Sequence, residues 1–160
     1  NQKLLSIALI ILLIFVLIKI TLQRNFHYKN RINFWQNAVA TSPNSPSNHG
    51  SLGTMYYLEG DYAKAMEEFN QALKLNPKEP TIHNNLGLIY LSQKQYANAL
   101  NEFLREKENS PSYDSVYFNL GITYVQLGQN ELAIQNFQKT LEINPNHTKA
   151  LQQLKNIRTN

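Results

Sequence analysis

Cysteine is absent from the chain. That excludes a disulfide framework, a thiolate zinc site, an iron–sulfur cluster and a cysteine nucleophile, and it leaves the compartment open. Acidic side chains are missing from residues 1–34, which carry five basic ones, Lys3, Lys19, Arg24, Lys29 and Arg31. Of the 15 Lys+Arg, ten therefore remain to face all 11 Asp+Glu in the rest of the chain, so the net charge of +4 resides in the first fifth. A nucleic-acid-binding domain would spread its positive charge over a folded face, so no nucleic-acid partner is expected. Gly-x-x-x-x-Gly-Lys, Gly-x-Gly-x-x-Gly and Gly-x-Ser-x-Gly segments are absent, and none of the four histidines stands in a His-x-x-x-His arrangement. We therefore expect no catalytic residue, metal, cofactor or small-molecule substrate. Asn and Gln are abundant, but they are interspersed with apolar positions rather than run together, which argues against a prion-like tract.

The first feature present is a hydrophobic run, LLSIALIILLIFVLIKITL, from Leu4 to Leu22. Leu4 through Ile18 hold no charge and one hydroxyl, Ser6, and Lys19 can snorkel toward headgroups. A span of about 19–20 residues approaches the thickness of a hydrocarbon core, which predicts a transmembrane anchor built on Leu4, Ile10, Phe15, Ile18 and Lys19. The run is apolar on every face, unlike a buried amphipathic helix, and no small-residue cleavage site follows it. The basic flank Arg24, Lys29 and Arg31 is expected to meet lipid headgroups. By the positive-inside rule it places the C-terminal part in the cytoplasm, unless further spans precede residue 1.

The remainder repeats. Pro43, Pro77, Pro111 and Pro145 are evenly spaced, and the same step relates Leu52-Gly53, Leu86-Gly87 and Leu120-Gly121. It also relates Tyr56, Tyr90 and Tyr124; Ala65, Ala99 and Ala133; and Phe69, Phe103 and Phe137. Leu52, Gly53 and Tyr56 fall on one stripe of a first helix, and Ala65, Phe69 and Ala72 on one stripe of a second. Each unit therefore reads as an antiparallel helix pair in which small Gly53 and Ala65 allow close approach. Gly60 makes the turn and Pro77 closes the unit.

This pattern of leucine–glycine, tyrosine, alanine, phenylalanine and proline in fixed register resembles the tetratricopeptide repeat (TPR). The resemblance implies an all-α fold, here an N-terminal transmembrane helix followed by a helical-hairpin solenoid. The expected parts are an anchor with basic flank (1–24), a juxtamembrane half-repeat helix (25–45), and full repeats at 46–79, 80–113 and 114–147. A capping helix (148–160) closes the C-terminal end, with Ala150, Leu151 and Leu154 on one face. Tyr28, Trp35, Ala38 and Pro43 lie one period before Tyr62, Phe69, Ala72 and Pro77, which marks the half-repeat. Departures from the pattern carry expectations of their own. His49, His83 and Tyr117 fill a slot where the family often has tryptophan, a packing role. Glu106 and Thr140 replace Ala72, predicting looser or more exposed seams, and Lys94 replaces the turn glycine, which puts an identical turn in doubt.

The resemblance points to the concave face lined by first helices, where family members bind extended peptides or partner helices. By repeat register the groove-lining candidates are Ser51, Thr54, Asn84, Asn85, Leu88, Phe118, Asn119, Ile122, Gln126 and Gln153. Asn85 and Asn119 are repeat equivalents, and an amide row can bind a peptide backbone because each amide both donates and accepts. The lysine–arginine clamp by which some members hold acidic chaperone tails is not expected, since Gly50, Ser115 and Asn119 stand where its cations would be. The reading is a membrane-anchored, non-catalytic scaffold whose partners are a protein or peptide and the lipid bilayer. Two alternatives compete with it: the C-terminal TPR portion of a polytopic membrane enzyme such as a glycosyltransferase, and a self-assembling filament or homo-oligomer subunit packed through its hydrophobic N-terminal helix.

Overall fold

The computed structural model describes the backbone of residues 2–159, and the side chains within it except those of residues 2–5, 8, 23–29, 158 and 159. Among the described residues the secondary structure is eight α-helices: α1 (Gln2–Thr41), α2 (Pro46–Glu59), α3 (Tyr62–Leu75), α4 (Ile82–Ser92), α5 (Tyr96–Asn109), α6 (Asp114–Gln126), α7 (Asn130–Ile143) and α8 (Thr148–Thr159). Helices α2 and α3, α4 and α5, and α6 and α7 pack as hairpins, while α1 and α8 close the stack at its two ends.

Local chemistry sets the helix ends. Ser45 caps α2 by accepting from the Asn48 N–H, with Pro46 in the first helical turn. Gly60 ends α2 in the left-handed region at φ 81°, and Asp61 caps α3 by accepting from the Lys64 N–H. The turn after α4 follows the same path without glycine. Lys94 adopts φ 59°, and the Gln95 N–H donates to the Tyr90 carbonyl at 2.9 Å, as the Asp61 and Gln129 N–H groups do to Tyr56 and Tyr124. The doubt raised by Lys94 is thus answered: the hairpin's packing imposes the turn, and the lysine backbone carries the strain.

Each hairpin closes around a phenylalanine seated on a glycine. Phe69, Phe103 and Phe137 are fully buried. A methyl group on Gly53, Gly87 or Gly121 would come within 2.7, 2.5 and 2.5 Å of the facing ring. Ala65, Ala99 and Ala133, all fully buried, keep the backbones close, and Leu86, Ile89, Val116, Leu120, Ala150 and Leu154 extend the core from one repeat to the next.

Three expectations are corrected or refined. Among the described residues no helix is long and apolar enough to cross a membrane. This overturns the transmembrane anchor and with it the single-pass localisation and the orientation drawn from the basic flank. Lys19 places a charge inside the apolar run, and the helix carries on past it into the polar residues of its C-terminal half. Ile10, Phe15, Ile18, Lys19 and Arg31 are exposed; the side chains of Leu4, Arg24 and Lys29 lie outside the described residues. Second, α1 continues unbroken through residue 24 to Thr41, and its last turns dock on α2. Asn48 Nδ2 donates to the Ala38 carbonyl at 3.0 Å, and Gln36 Nε2 to the Tyr56 hydroxyl at 2.9 Å.

Third, the seams at Glu106 and Thr140 are closed, not loose, and both residues are fully buried. The Thr140 hydroxyl donates to the Asn136 carbonyl at 3.0 Å. Glu106 Oε1 accepts from the Thr81 N–H at 3.0 Å and Oε2 from the Asn84 N–H at 3.3 Å. Helix α4 begins at Thr81 with φ 68° and no side-chain cap of its own, so a carboxylate from α5 supplies the cap.

Candidate functional site

The face lined by α2, α4 and α6 carries little charge. These helices contain no Lys or Arg, and their acidic residues are Glu59 and Asp114. Asp114 is engaged locally, Oδ2 accepting from Asn144 Nδ2 at 2.7 Å. At one end of the face Ser51 and Thr54 line a cleft of about 170 Å³ with Ser47, Gly50, Glu79 and Ile82. Both Glu79 oxygens are occupied there, one by the Ser47 hydroxyl at 2.6 Å and the other by Asn76 Nδ2 at 2.9 Å.

Amides link the first helices of successive repeats. Asn85 Nδ2 donates to Thr54 Oγ1 at 3.4 Å, a long bond, while the Thr54 hydroxyl donates to the Gly50 carbonyl at 2.9 Å. Asn119 Nδ2 donates to Asn84 Oδ1 at 2.8 Å. Asn84 is buried, whereas Asn85 and Asn119 are half-buried, so Asn84 lies beneath the face and positions Asn119 above it. Each of Asn85 and Asn119 keeps a carbonyl oxygen and one N–H beyond the bond described.

The other sequence candidates divide. Leu88 is half-buried against the second core cluster, and Ile122 against the third. The Phe118 ring lies 5.7 Å from Phe137 and 4.7 Å from His147, which draws it toward the α7–α8 seam. Gln126 is exposed, with Oε1 accepting from the Tyr96 hydroxyl at 3.2 Å. Gln153 is half-buried on α8. The structure thus joins Thr54 with Asn85 and Asn84 with Asn119, and sets Phe118 and Ile122 against α7 of their own repeat and the α8 end of the stack. Sequence reasoning missed Ser47 and Glu79. They lie in different segments that only the fold brings together, and no periodic signal marks them.

The slot expected to hold tryptophan is instead polar and satisfied. His49 Nδ1 lies 2.6 Å from Glu68 and its Nε2 2.9 Å from the Pro43 carbonyl, His83 Nδ1 lies 2.7 Å from Glu102, and the Tyr117 hydroxyl donates to the Pro111 carbonyl at 3.0 Å. Beside the groove, burial pushes the Tyr57 phenol above its ordinary range, with a smaller contribution from Tyr62, so Tyr57 remains a neutral donor at physiological pH. A larger cleft, about 590 Å³, lies between α1 and the α2–α3 turn, and four of its polar groups serve one another: Lys64 Nζ binds Asp61 at 2.7 Å and Gln36 Nε2 donates to the Tyr56 hydroxyl. Among the described residues no cluster of three His, Asp or Glu is placed to hold a metal.

Residues 53–94 match a family model described as the TPR repeat, and residues 115–147 one described as the tetratricopeptide repeat. The helical hairpins are tetratricopeptide repeats. Solved TPR structures share the arrangement. MamA (41 to end) from Desulfovibrio magneticus RS-1 matches with TM-score 0.74 and 25% identity, over 85% of this chain and 77% of that one. PilF of Pseudomonas aeruginosa matches with TM-score 0.76 and 25% identity, over 85% of this chain and 62% of that one. The first TPR domain of Spaghetti (RPAP3), bound to the HSP90 peptide SRMEEVD, matches with TM-score 0.69 over 72% of this chain and 91% of that one, and at 23% identity this likeness is one of fold alone. No curated protein matches the chain by sequence. TPR proteins are generally protein-binding scaffolds.

Proposed function

We propose that this TPR chain is a non-catalytic scaffold that holds an extended segment of a partner protein along the α2–α4–α6 face. The observation that carries the reading is the pair of repeat-equivalent amides, Asn85 and Asn119, each with a donor and an acceptor left for a peptide backbone. Ser51 and Thr54 at one end, Leu88 and Ile122 between, and Gln126 and Gln153 at the other end offer neutral contacts. The face has no cation to grip a carboxylate, so an uncharged internal segment suits it better than an acidic C-terminal tail. The test is affinity capture with tagged full-length protein and an Asn85→Ala/Asn119→Ala variant, read by quantitative mass spectrometry. A partner retained by the native chain and lost by the folded variant supports the reading; equal capture ends it.

A second reading is self-association through α1. Leu9, Ile10, Leu12, Leu13, Phe15 and Leu17 are each more than half exposed, an apolar surface larger than monomers ordinarily tolerate. Sedimentation equilibrium of the full chain tests it, and a monomer across the concentration range excludes it.

A further inference from the structure

The inter-repeat clefts on the opposite, convex side differ in a way that points to a ligand. Between α3 and α5 the repeat-equivalent positions are Leu73, His83, Asn101, Glu102 and Arg105. One repeat later, between α5 and α7, the same positions are Lys107, Tyr117, Gln135, Asn136 and Lys139. In the earlier cleft Glu102 is an internal anion: His83 Nδ1 lies 2.7 Å from one oxygen, and Arg105 lies 3.8 Å from the other. In the later cleft Asn136 replaces that carboxylate, and a lysine stands on each wall. The Asn136 amide turns back to the Leu132 carbonyl of its own helix at 2.8 Å, and the Tyr117 hydroxyl to Pro111, so neither fills the position the Glu102 carboxylate holds.

The result is a cleft of about 260 Å³ lined by Lys107, Tyr117, Gln135, Asn136 and Lys139. Lys107 Nζ stands 5.9 Å from the centre of the Tyr117 ring, and among the described residues it makes no ion pair. Lys139 pairs with Glu142 at 2.8 Å, but both side chains are exposed, and such a pair exchanges readily for a better-placed anion. Gln135 adds an exposed amide donor.

We propose that this cleft binds a carboxylate presented by an acidic side chain of a protein partner, which takes the place that Glu102 occupies one repeat earlier. The site's polar groups lie on the second helices α5 and α7, beside Tyr117 of α6, and none of them is among the concave-face residues. Its test uses the full isotope-labelled chain in a non-ionic detergent that covers the exposed α1 side chains. The chain is titrated at low salt with an acetylated, amidated triglutamate peptide and, separately, with inorganic phosphate, while the Gln135 and Asn136 side-chain amides and the Lys107 and Lys139 ammonium-adjacent carbons are followed by NMR. A saturable shift with the peptide is expected, with affinity lowered about tenfold or more in Lys107→Gln/Lys139→Gln. Asn136→Glu, which restores the carboxylate of the preceding repeat and removes no cation, is expected to abolish the peptide shift while circular dichroism shows the fold retained. Unmoved signals in the native chain, or unchanged peptide affinity in Asn136→Glu, would overturn the proposal. Shifts with phosphate alone would overturn the assignment to a peptide carboxylate. Retention of the concave-face partner by Asn136→Glu would show that the two sites are separate.

Discussion

Glu106 is the residue whose removal should teach most about how the solenoid is held. Its carboxylate is fully buried and accepts from the Thr81 and Asn84 N–H groups at 3.0 and 3.3 Å, at the start of a helix that has no side-chain cap of its own. Truncation to alanine leaves the buried Asn84 N–H and the part-buried Thr81 N–H without their acceptor and opens a small void. A hydrogen bond to a charged group contributes about 1.5–3 kcal/mol, and the two share one carboxylate, so they do not simply add. Together with the packing loss, Glu106→Ala should cost about 3 kcal/mol. Gln keeps one acceptor and places an amide donor against the other N–H, so Glu106→Gln should cost about half as much. Urea unfolding followed by circular dichroism measures the total. Native-state hydrogen exchange localises it, since a loss of about 3 kcal/mol in local opening corresponds to roughly hundredfold faster exchange of the Thr81 and Asn84 amides. Neighbouring repeats should exchange less affected, because each repeat contacts only its neighbours. If Glu106→Ala unfolds within about 0.5 kcal/mol of the native chain and those two amides exchange unchanged, the cap contributes nothing and the reasoning fails.

Four further perturbations test other parts of the account. Gly87→Ala sets a methyl group 2.5 Å from the Phe103 ring and should destabilise by about 2–3 kcal/mol in urea unfolding. Gly128→Ala meets no atom within 4 Å and should lose only about 1 kcal/mol, from its φ of 72°. Lys94→Gly relieves a left-handed lysine and should raise stability by about 1 kcal/mol, visible as a higher urea midpoint at an unchanged slope. Asp61 is held below the ordinary carboxylate range, first by its side-chain hydrogen bond with Lys64 and then by the Lys64 backbone N–H. A depressed carboxyl contributes stability above its unfolded pKa and loses it as pH falls through the folded value, so the α3 cap should weaken only in acid. Asp61→Asn should flatten that acid limb in pH-dependent unfolding, and an unaltered limb would assign it to other carboxyls.

The hairpins were legible because their signal is redundant. Gly53, Gly87 and Gly121 face Phe69, Phe103 and Phe137, and a side chain at any of those glycines would strike a ring. The packing thus imposes residue types that the eye can count. The groove was legible only in part. Register placed Asn84, Asn85 and Asn119 together among the groove-lining positions, but nothing periodic announced that Asn84, whose repeat counterparts are Gly50 and Phe118, is buried beneath that face. It is Asn84 that lies beneath Asn119 and accepts its hydrogen bond.

Glu106 shows the opposite limit. A charge in an alanine slot reads as exposure, since burying an unpaired carboxylate is costly. The helix terminus that compensates it lies on the other helix of the same repeat, 22 to 25 positions away. The N-terminal run likewise reads as a membrane span by composition, yet among the described residues no helix meets the length and apolarity that crossing requires.

The sequence alone determined the repeat length and the helix pairs, because each depends on contacts that recur at a fixed spacing. Tertiary structure alone decided which polar groups are spent internally and which are left to meet a partner. That choice depends on contacts between distant segments, where an amide, a carboxylate or a lysine acquires its role from the group the fold sets opposite it.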